Sequence, residues 1–207
     1  LTIGSQGMQQ NNLNRPSVPE IILPNLTSTD FGVYSLYTKQ FEKLIIQGGI
    51  RYDWRNLNVP LQESQDSIFQ KTYEGLNYSA GFRYTSNKHN NFRLNISSGS
   101  RAPNASELLS DGIHHGSIRY EKGDRNLAIE KALQVDLAYT LKNDHFEMIV
   151  NPFYSFLNNY KYLALQDESI DDFVLFQYKD ASNATIYGGE LALHYHPHFS
   201  HHLHLES

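Results

Sequence analysis

Apolar and polar residues alternate one by one through much of this chain, and the alternating runs are joined by connections that are short and long in turn. Ile46, Gly48, Ile50, Tyr52 and Trp54 fall on one parity, and Gln47, Gly49, Arg51, Asp53 and Arg55 on the other. Residues 73–83 repeat the design, with Leu76, Tyr78, Ala80 and Phe82 set against Asn77, Ser79, Gly81 and Arg83. Only a strand sends successive side chains to opposite faces, so this period of two excludes an amphipathic helix. The pattern predicts strands over residues 1–5, 29–40, 44–55, 73–85, 91–100, 132–141, 145–156, 184–196 and 202–206.

Residues 41–43, 86–90, 142–144 and 197–201 are rich in turn formers or charge and read as tight hairpin connections. The long connections are residues 6–28, 56–72, 101–131 and 157–183, and connections beyond about 15 residues are uncommon unless they carry a function. Threading the strands up and down places all the long connections at one end. That one-sidedness is how an outer-membrane barrel is laid out, with short turns on one side and long loops on the other. A soluble β-sandwich or lipocalin-like barrel stays open as the alternative, since it meets the same alternation. Asp136 and Glu190, each between apolar neighbours, favour the barrel: a carboxylate in a dry core costs free energy that a wetted lumen does not exact. On this threading Leu133, Val135, Leu137, Tyr139 and Leu141 face lipid. The expected fold is all-β, an antiparallel up-and-down transmembrane β-barrel, present here as a partial barrel of about nine strands.

Bulk properties narrow the function classes. The chain has 207 residues, a net charge of −5 and a pI near 6.0, which is not the basic footprint of a nucleic-acid binder. No cysteine is present, so disulfides and cysteine metal sites are excluded. Mean hydropathy is −0.51 and no apolar run reaches about 18 residues, which excludes a transmembrane helix and leaves a barrel untouched. The 14 Tyr and 11 Phe suit interfacial aromatic girdles. Leu1 opens inside strand-like sequence without a basic leader, and the expectation is a single-unit fragment over residues 1–207.

One stretch carries more than a pattern. Ser100-Arg101-Ala102-Pro103-Asn104-Ala105-Ser106-Glu107-Leu108-Leu109-Ser110-Asp111-Gly112 is followed by His114-His115-Gly116, Arg119-Tyr120-Glu121-Lys122-Gly123-Asp124, Asn126-Leu127 and Glu130-Lys131. In order and spacing this resembles the barrel signature of the TonB-dependent outer-membrane receptors. Gly48-Gly49-Ile50-Arg51-Tyr52-Asp53, Asn151-Pro152-Phe153-Tyr154 and the stretch from Tyr178-Lys179-Asp180-Ala181 to Gly189-Glu190 resemble further strands of that family, so the likeness covers nearly the whole chain. Ile21-Ile22-Leu23-Pro24 and the His-His loop are similar to its iron-, haem- or zinc-type receptors from Bacteroidetes-like bacteria.

The resemblance implies a non-enzymatic receptor in the outer membrane of a Gram-negative bacterium. It would capture a scarce nutrient with its extracellular loops and import it. The implied partners are outer-membrane lipid, a plug domain of the same full-length chain and the inner-membrane TonB–ExbB–ExbD complex. No cofactor is required, and the cargo would be an iron complex, haem or zinc. A passive or adhesive outer-membrane barrel and a soluble β-sandwich binding module are the competing readings. The plug, the TonB box and the closing carboxy-terminal strand have no counterpart in residues 1–207, which alone would not close a barrel of about 22 strands.

Among residues that could carry chemistry, His114 and His115 stand first, with Glu107, Asp111 and Tyr120 close in sequence. Imidazole with carboxylate suits zinc, copper or haem iron. The plain alternative is that adjacent histidines on a loop point to opposite sides and touch only plug or solvent. Arg51, Arg83, Arg101, Asp136 and Glu190 are expected to face the lumen or the plug, and Pro103 to mark a strand end, since proline cannot donate to a ladder. His194, His196, His198, His201, His202 and His204 lie toward the short-turn end and read as adventitious. Asp167-Glu168 and Asp171-Asp172 read as a solvated acidic loop or a weak calcium surface. No Ser-His-Asp arrangement, P-loop or glycosidase carboxylate pair is visible. A partial barrel leaves raw sheet edges, so residues 1–207 prepared alone should self-associate edge to edge or close non-natively. Multi-angle light scattering checks this, and a monodisperse monomer would contradict it.

Overall fold

The computed structural model describes residues 1–15, 21–60, 69–195 and 205–206. Its strands are β1 (Thr2–Asn12), β2 (Leu26–Gln40), β3 (Leu44–Val59), β4 (Phe69–Asn87), β5 (Asn90–Arg101), β6 (Asp111–His114), β7 (Arg119–Lys122), β8 (Glu130–Lys142), β9 (Phe146–Ile170), β10 (Phe173–Tyr195) and β11 (Leu205–Glu206), with one short helix, α1 (Ala105–Leu109). All belong to one sheet in the order β1-β2-β3-β4-β5-β8-β9-β10-β7-β6, with β11 on β10. Among the described residues no second sheet packs against it, so this is a barrel wall and not a sandwich. No helix among the described residues is long and apolar enough to cross a membrane.

Along the path from β1 to β10 neighbouring strands pair antiparallel, and away from the register shifts at Thr85–Asn87 and Val174–Phe176 the two parities keep to separate faces. Ile50 stands opposite Ser35 and Tyr78, and Leu94 opposite Phe82 and Leu137. The outward face is apolar and uncovered: Ile50, Leu76, Tyr78, Leu137 and Leu191 are all exposed. Phe92 and Tyr139 stack with ring centroids 4.7 Å apart, near the short turns. The opposite parity holds Asp30, Arg51, Asp53, Arg55, Asn77, Asn95 and Asp136, a polar face fit for a wetted lumen.

The short turns form for local reasons. Asn87 Oδ1 accepts from the backbone N–H groups of His89 and Asn90, and Asn143 Oδ1 from those of His145 and Phe146. These Asx interactions make each asparagine a turn former. The Phe41 N–H reaches the Leu44 carbonyl at 2.7 Å and closes the β2–β3 turn. The predicted turn over residues 197–201 lies outside the described residues, as do His196, His198, His201, His202 and His204.

The long connections differ from expectation. Residues 157–183 are not a loop: β9 runs for 25 residues and β10 for 23, and Asp171 and Asp172, at φ 51° and 66°, alone join them. Two consecutive residues at positive φ make the turn that best fits strand twist, and Asp tolerates that backbone. A tilted strand needs only about 9–11 residues to cross a bilayer, so this hairpin projects far beyond any apolar band. Its polarity suggested a loop, yet outside a membrane a ribbon has no need of an apolar face. Strands also take over residues 6–12, 26–28, 56–59 and 69–72 of the other predicted loops.

Two sheet edges are open among the described residues. The outer side of β1 has no strand partner, and β10 is covered only by β7 at Leu175–Gln177 and by β11 at His194 and Tyr195. An arginine on the outward face should be costly where one on the lumenal face is not. Leu137→Arg, near the middle of the apolar band, is expected to destabilise the full receptor by about 2–4 kcal/mol in lipid vesicles, and Ser97→Arg by about 1 kcal/mol or less. Equal costs in reversible refolding would contradict the face assignment.

Candidate functional site

The connection between β5 and β8 packs onto the sheet to form the largest buried apolar cluster among the described residues. Leu108 of α1 is 1% exposed and Leu127 2%, packed with Leu109 against Leu26, Leu57, Val59 and Tyr73. Leu57, Val59 and Tyr73 lie on the lumenal parity of β3 and β4, so residues 102–129 form a strap folded over the lumenal face at the long-connection end. The strap continues to the other side of the sheet, where β7 joins the outer edge of β10 in parallel register.

The sequence around Arg101 is built to hold this strap. Pro103 is fully buried where β5 ends. Asn104 caps α1: its side chain accepts from the Glu107 N–H, and the Glu107 carboxylate accepts from the Asn104 N–H, each at 2.8 Å. Arg101 donates to both oxygens of Glu107 at 2.9 and 3.0 Å and to Glu130 at 3.1 Å. Burial works against charge on Arg101, but the carboxylates of Glu130 and Glu107 outweigh it and hold the guanidinium above its usual pKa. Gly123 is a requirement of close approach: a Cβ there would fall 2.5 Å from the Leu108 backbone carbon.

The return limb is pinned mainly through its backbone. Tyr73 donates to the Leu127 carbonyl at 3.0 Å, and Lys71 to the carbonyls of Arg125 and Leu127. Burial pushes the Tyr73 phenol above its ordinary pKa and the Lys71 ammonium below its own, the latter against the pull of Asp124 and Asp180. The Lys161 side chain is wholly buried; it donates to the Ala128 carbonyl and pairs with Asp180 at 3.0 Å, while Asp180 accepts from the Ala128 N–H. Beneath the strap lies a recess of about 350 Å³ whose lining includes Asp30, Arg51, Asp53, Arg55, Tyr73 and Arg101. Arg51 pairs with Asp53, which also accepts from Asn77, and Arg55 pairs with Asp30 across the β2–β3 register.

The candidate residues fall into distinct places. Glu107 is buried, with its carboxylate committed to Arg101 and Asn104. Asp111, His114 and Tyr120 sit on the β6–β7 hairpin and His115 in its turn, exposed apart from the half-buried Tyr120. Tyr120 donates to Asp111 Oδ1 at 2.9 Å, whereas His114 lies on the other parity, its Nδ1 3.0 Å from Ser117 Oγ. No group of three or more His, Asp or Glu that could hold a metal ion occurs among the described residues. Arg51, Arg83, Arg101, Asp136 and Glu190 all fall on the lumenal parity. Asp136 accepts from Gln134 at 2.7 Å, and Glu190 stands exposed opposite Asn151. Sequence reasoning missed Asp30, Glu130, Lys161 and Asp180. Asp30 and Lys161 lay in predicted strand or loop with no local mark, and only the register brings each to its partner.

An unclosed wall of antiparallel strands, apolar outside and polar inside, defines a β-barrel segment. Residues 3–205 match the family described as TonB dependent receptor-like, beta-barrel, and the chain belongs to that family, one of receptors and transporters. A search of curated proteins finds no match. Among solved structures, the Serratia marcescens hemophore receptor HasR, in complex with its hemophore HasA and heme, matches at TM-score 0.71 and 14% identity over 85% of this chain and 33% of its own. The copper transporter OprC matches at 0.69 and 15% over 82% and 26%. The FrpB iron transporter from Neisseria meningitidis (F5-1 variant) matches at 0.62 and 20% over 84% and 25%. The chain thus spans a quarter to a third of the length of these structures, and at such identity the likeness is one of fold.

If the strap is a packed element, its closest contact should be intolerant. Gly123→Val is expected to expose residues 102–129 of the full receptor to protease, and Leu108→Ala to cost about 2–5 kcal/mol. An unchanged proteolytic pattern in Gly123→Val would contradict the packing described.

Proposed function

We propose that this chain is the part of an outer-membrane, TonB-dependent receptor in which the strap and its hairpin meet a scarce nutrient: an iron complex, haem or a metal ion. The single observation that carries this reading is the position of the β6–β7 hairpin. It presents His114 and His115 to solvent at the long-connection end, while the rest of the same strap is packed over the lumen. A ligand touching the hairpin therefore touches an element that is continuous with the lumenal closure. Haem, iron and copper are what the solved neighbours bind or carry by their names, and imidazole is a ligand for each of these metals.

Among the described residues no three metal-ligating side chains converge at the histidines, so the pair would supply one or two ligands to a complex that brings the rest itself. This favours a chelated metal or a porphyrin over a bare ion. Glu107 serves the strap, and Arg51, Arg101 and Asp136 serve the lumen. Import past the strap would need a plug domain and the TonB–ExbB–ExbD complex as energy source, and the receptor itself would need no cofactor.

The test is uptake by cells carrying the full-length receptor with His114→Ala/His115→Ala, grown with an iron complex, haem or zinc as the limiting nutrient. Uptake of one nutrient should fall about tenfold or more at unchanged surface expression, the scale of about 1.4 kcal/mol of lost binding. Unchanged uptake of all three would remove the histidine pair from ligand capture and point to organic or sugar cargo.

A further inference from the structure

The apolar band on the outward face of β8, β9 and β10 ends at one row of the register. Leu133, Phe156 and Thr185 stand side by side at its upper limit, and the next outward row toward the long-connection end is Lys131, Asn158 and Asn183. Two further rows pair Tyr160 with Ala181 and Tyr162 with Lys179. From Tyr154 to the row of Lys179 the outward parity carries no Asp or Glu. The acids adjacent in sequence point to the other face and are committed there, Glu130 to Arg101 and Asp180 to Lys161. Asp111 shares the outward parity on β6, where it stands opposite Lys122. Lys131 is exposed and has no hydrogen-bond or ion-pair partner among the described residues. Lys179 donates to the neutral Gln166 side-chain carbonyl at 2.8 Å, and Gln166 is tied in turn to the carbonyls of Ala164 and Leu165. Its ammonium is thus positioned without being neutralised.

We propose that this patch binds the phosphorylated headgroup of a lipid in the leaflet on the long-connection side, with Lys131 and Lys179 taking the phosphates. Depth selects the ligand. A tilted strand crosses the hydrocarbon in about 9–11 residues, and Phe146 to Asn158 on β9 spans that and slightly more. The two lysines therefore lie at headgroup depth, just beyond the acyl chains. A soluble anion would meet only two separate ammonium groups here. A lipid also lays its chains against Leu133, Phe156 and Tyr187, so one molecule uses the charge and the apolar band together. Tyr154, Tyr160, Tyr162 and Tyr187 are exposed on the same face. Tyrosine suits this boundary, its ring toward the chains and its hydroxyl toward the headgroups. Two strands sideways and four residues along the ladder separate Lys131 from Lys179 by roughly 16 Å, so each takes its own phosphate. The site needs the wall to sit in a membrane, and it stands whether or not the histidines of the hairpin bind cargo.

The probe is phosphatidic acid, a lipid whose headgroup is a bare phosphate. The full-length receptor is reconstituted in nanodiscs of phosphatidylcholine with minor shares of phosphatidic acid and diacylglycerol, and the lipids it retains on release are counted by native mass spectrometry. Phosphatidic acid should be retained in preference to both other lipids. That preference should fall about fivefold in Lys131→Gln and in Lys179→Gln, the worth of one lysine at a charged surface, and further in the double variant. Lys131→Arg/Lys179→Arg should keep it, and so should His114→Ala/His115→Ala, which separates this site from the hairpin. Unchanged retention in the double Gln variant overturns the proposal. It is equally overturned if diacylglycerol is retained as well as phosphatidic acid, which would leave chain contact alone, or if free inorganic phosphate displaces the lipid completely, which would mark a site for a soluble anion.

Discussion

In the ladder that runs from β1 to β10, residues directly opposite one another share a face, so a single slip of register would turn every apolar side chain inward and every charge outward. Nothing else in the wall specifies its geometry so strongly, because the outward side chains pack against no protein. The cross-strand hydrogen bonds satisfy the backbone, which a hydrocarbon environment demands. The Asx turns at Asn87 and Asn143 fix where each hairpin starts. Once the register is set, Arg51 lies over Gly32, where a Cβ would meet its guanidinium at 2.5 Å, and Arg55 reaches Asp30. The lumenal ion pairs follow from strand pairing and do not cause it.

The strap is the second level of organisation and depends on the first. A connection lying across the lumenal face must bury apolar residues there and satisfy every main-chain group it covers. Leu108 and Leu127 do the first. Tyr73, Lys71, Lys161, Asp180 and Asn159 do the second, bonding the carbonyls of Arg125, Leu127, Ala128 and Ile129 and the Ala128 N–H. Lys161 is tolerable in full burial because both its charge and its donors are used, and removal of Asp180 would leave an uncompensated cation. These partners come from β4, β9 and β10, so the strap ties the two halves of the wall to each other. A ligand that moved it would have to break a small core and not merely displace a loop.

Alternation in the sequence was sufficient for the apolar face, for the parity that Arg51, Arg83, Arg101, Asp136 and Glu190 share opposite to it, and for most of the short turns. It was insufficient for the strap, because α1, β6 and β7 are too short to show a period, and Leu108-Leu109 has no alternation at all. The β9–β10 hairpin beyond residue 157 was legible only in hindsight: Tyr160 and Tyr162 alternate with Lys161, yet the polar Gln166-Asp167-Glu168 looked like loop. Of the candidate site, proximity in sequence overstated proximity in space. Asp111 and Tyr120 meet, while His114 lies on the other parity and Glu107 serves Arg101. Long-range partners such as Lys161 with Asp180 are set by register, which a single sequence does not display.

The strap is a folded part of the wall, and amide hydrogen exchange on the full-length receptor in lipid nanodiscs tests that most directly. The N–H groups of Leu108, Gly123 and Ala128, which bond to Asn104, Ser110 and Asp180, should exchange as slowly as those in the middle of β3 and β4. Exchange of residues 102–129 at the rate of an unstructured loop would contradict the account.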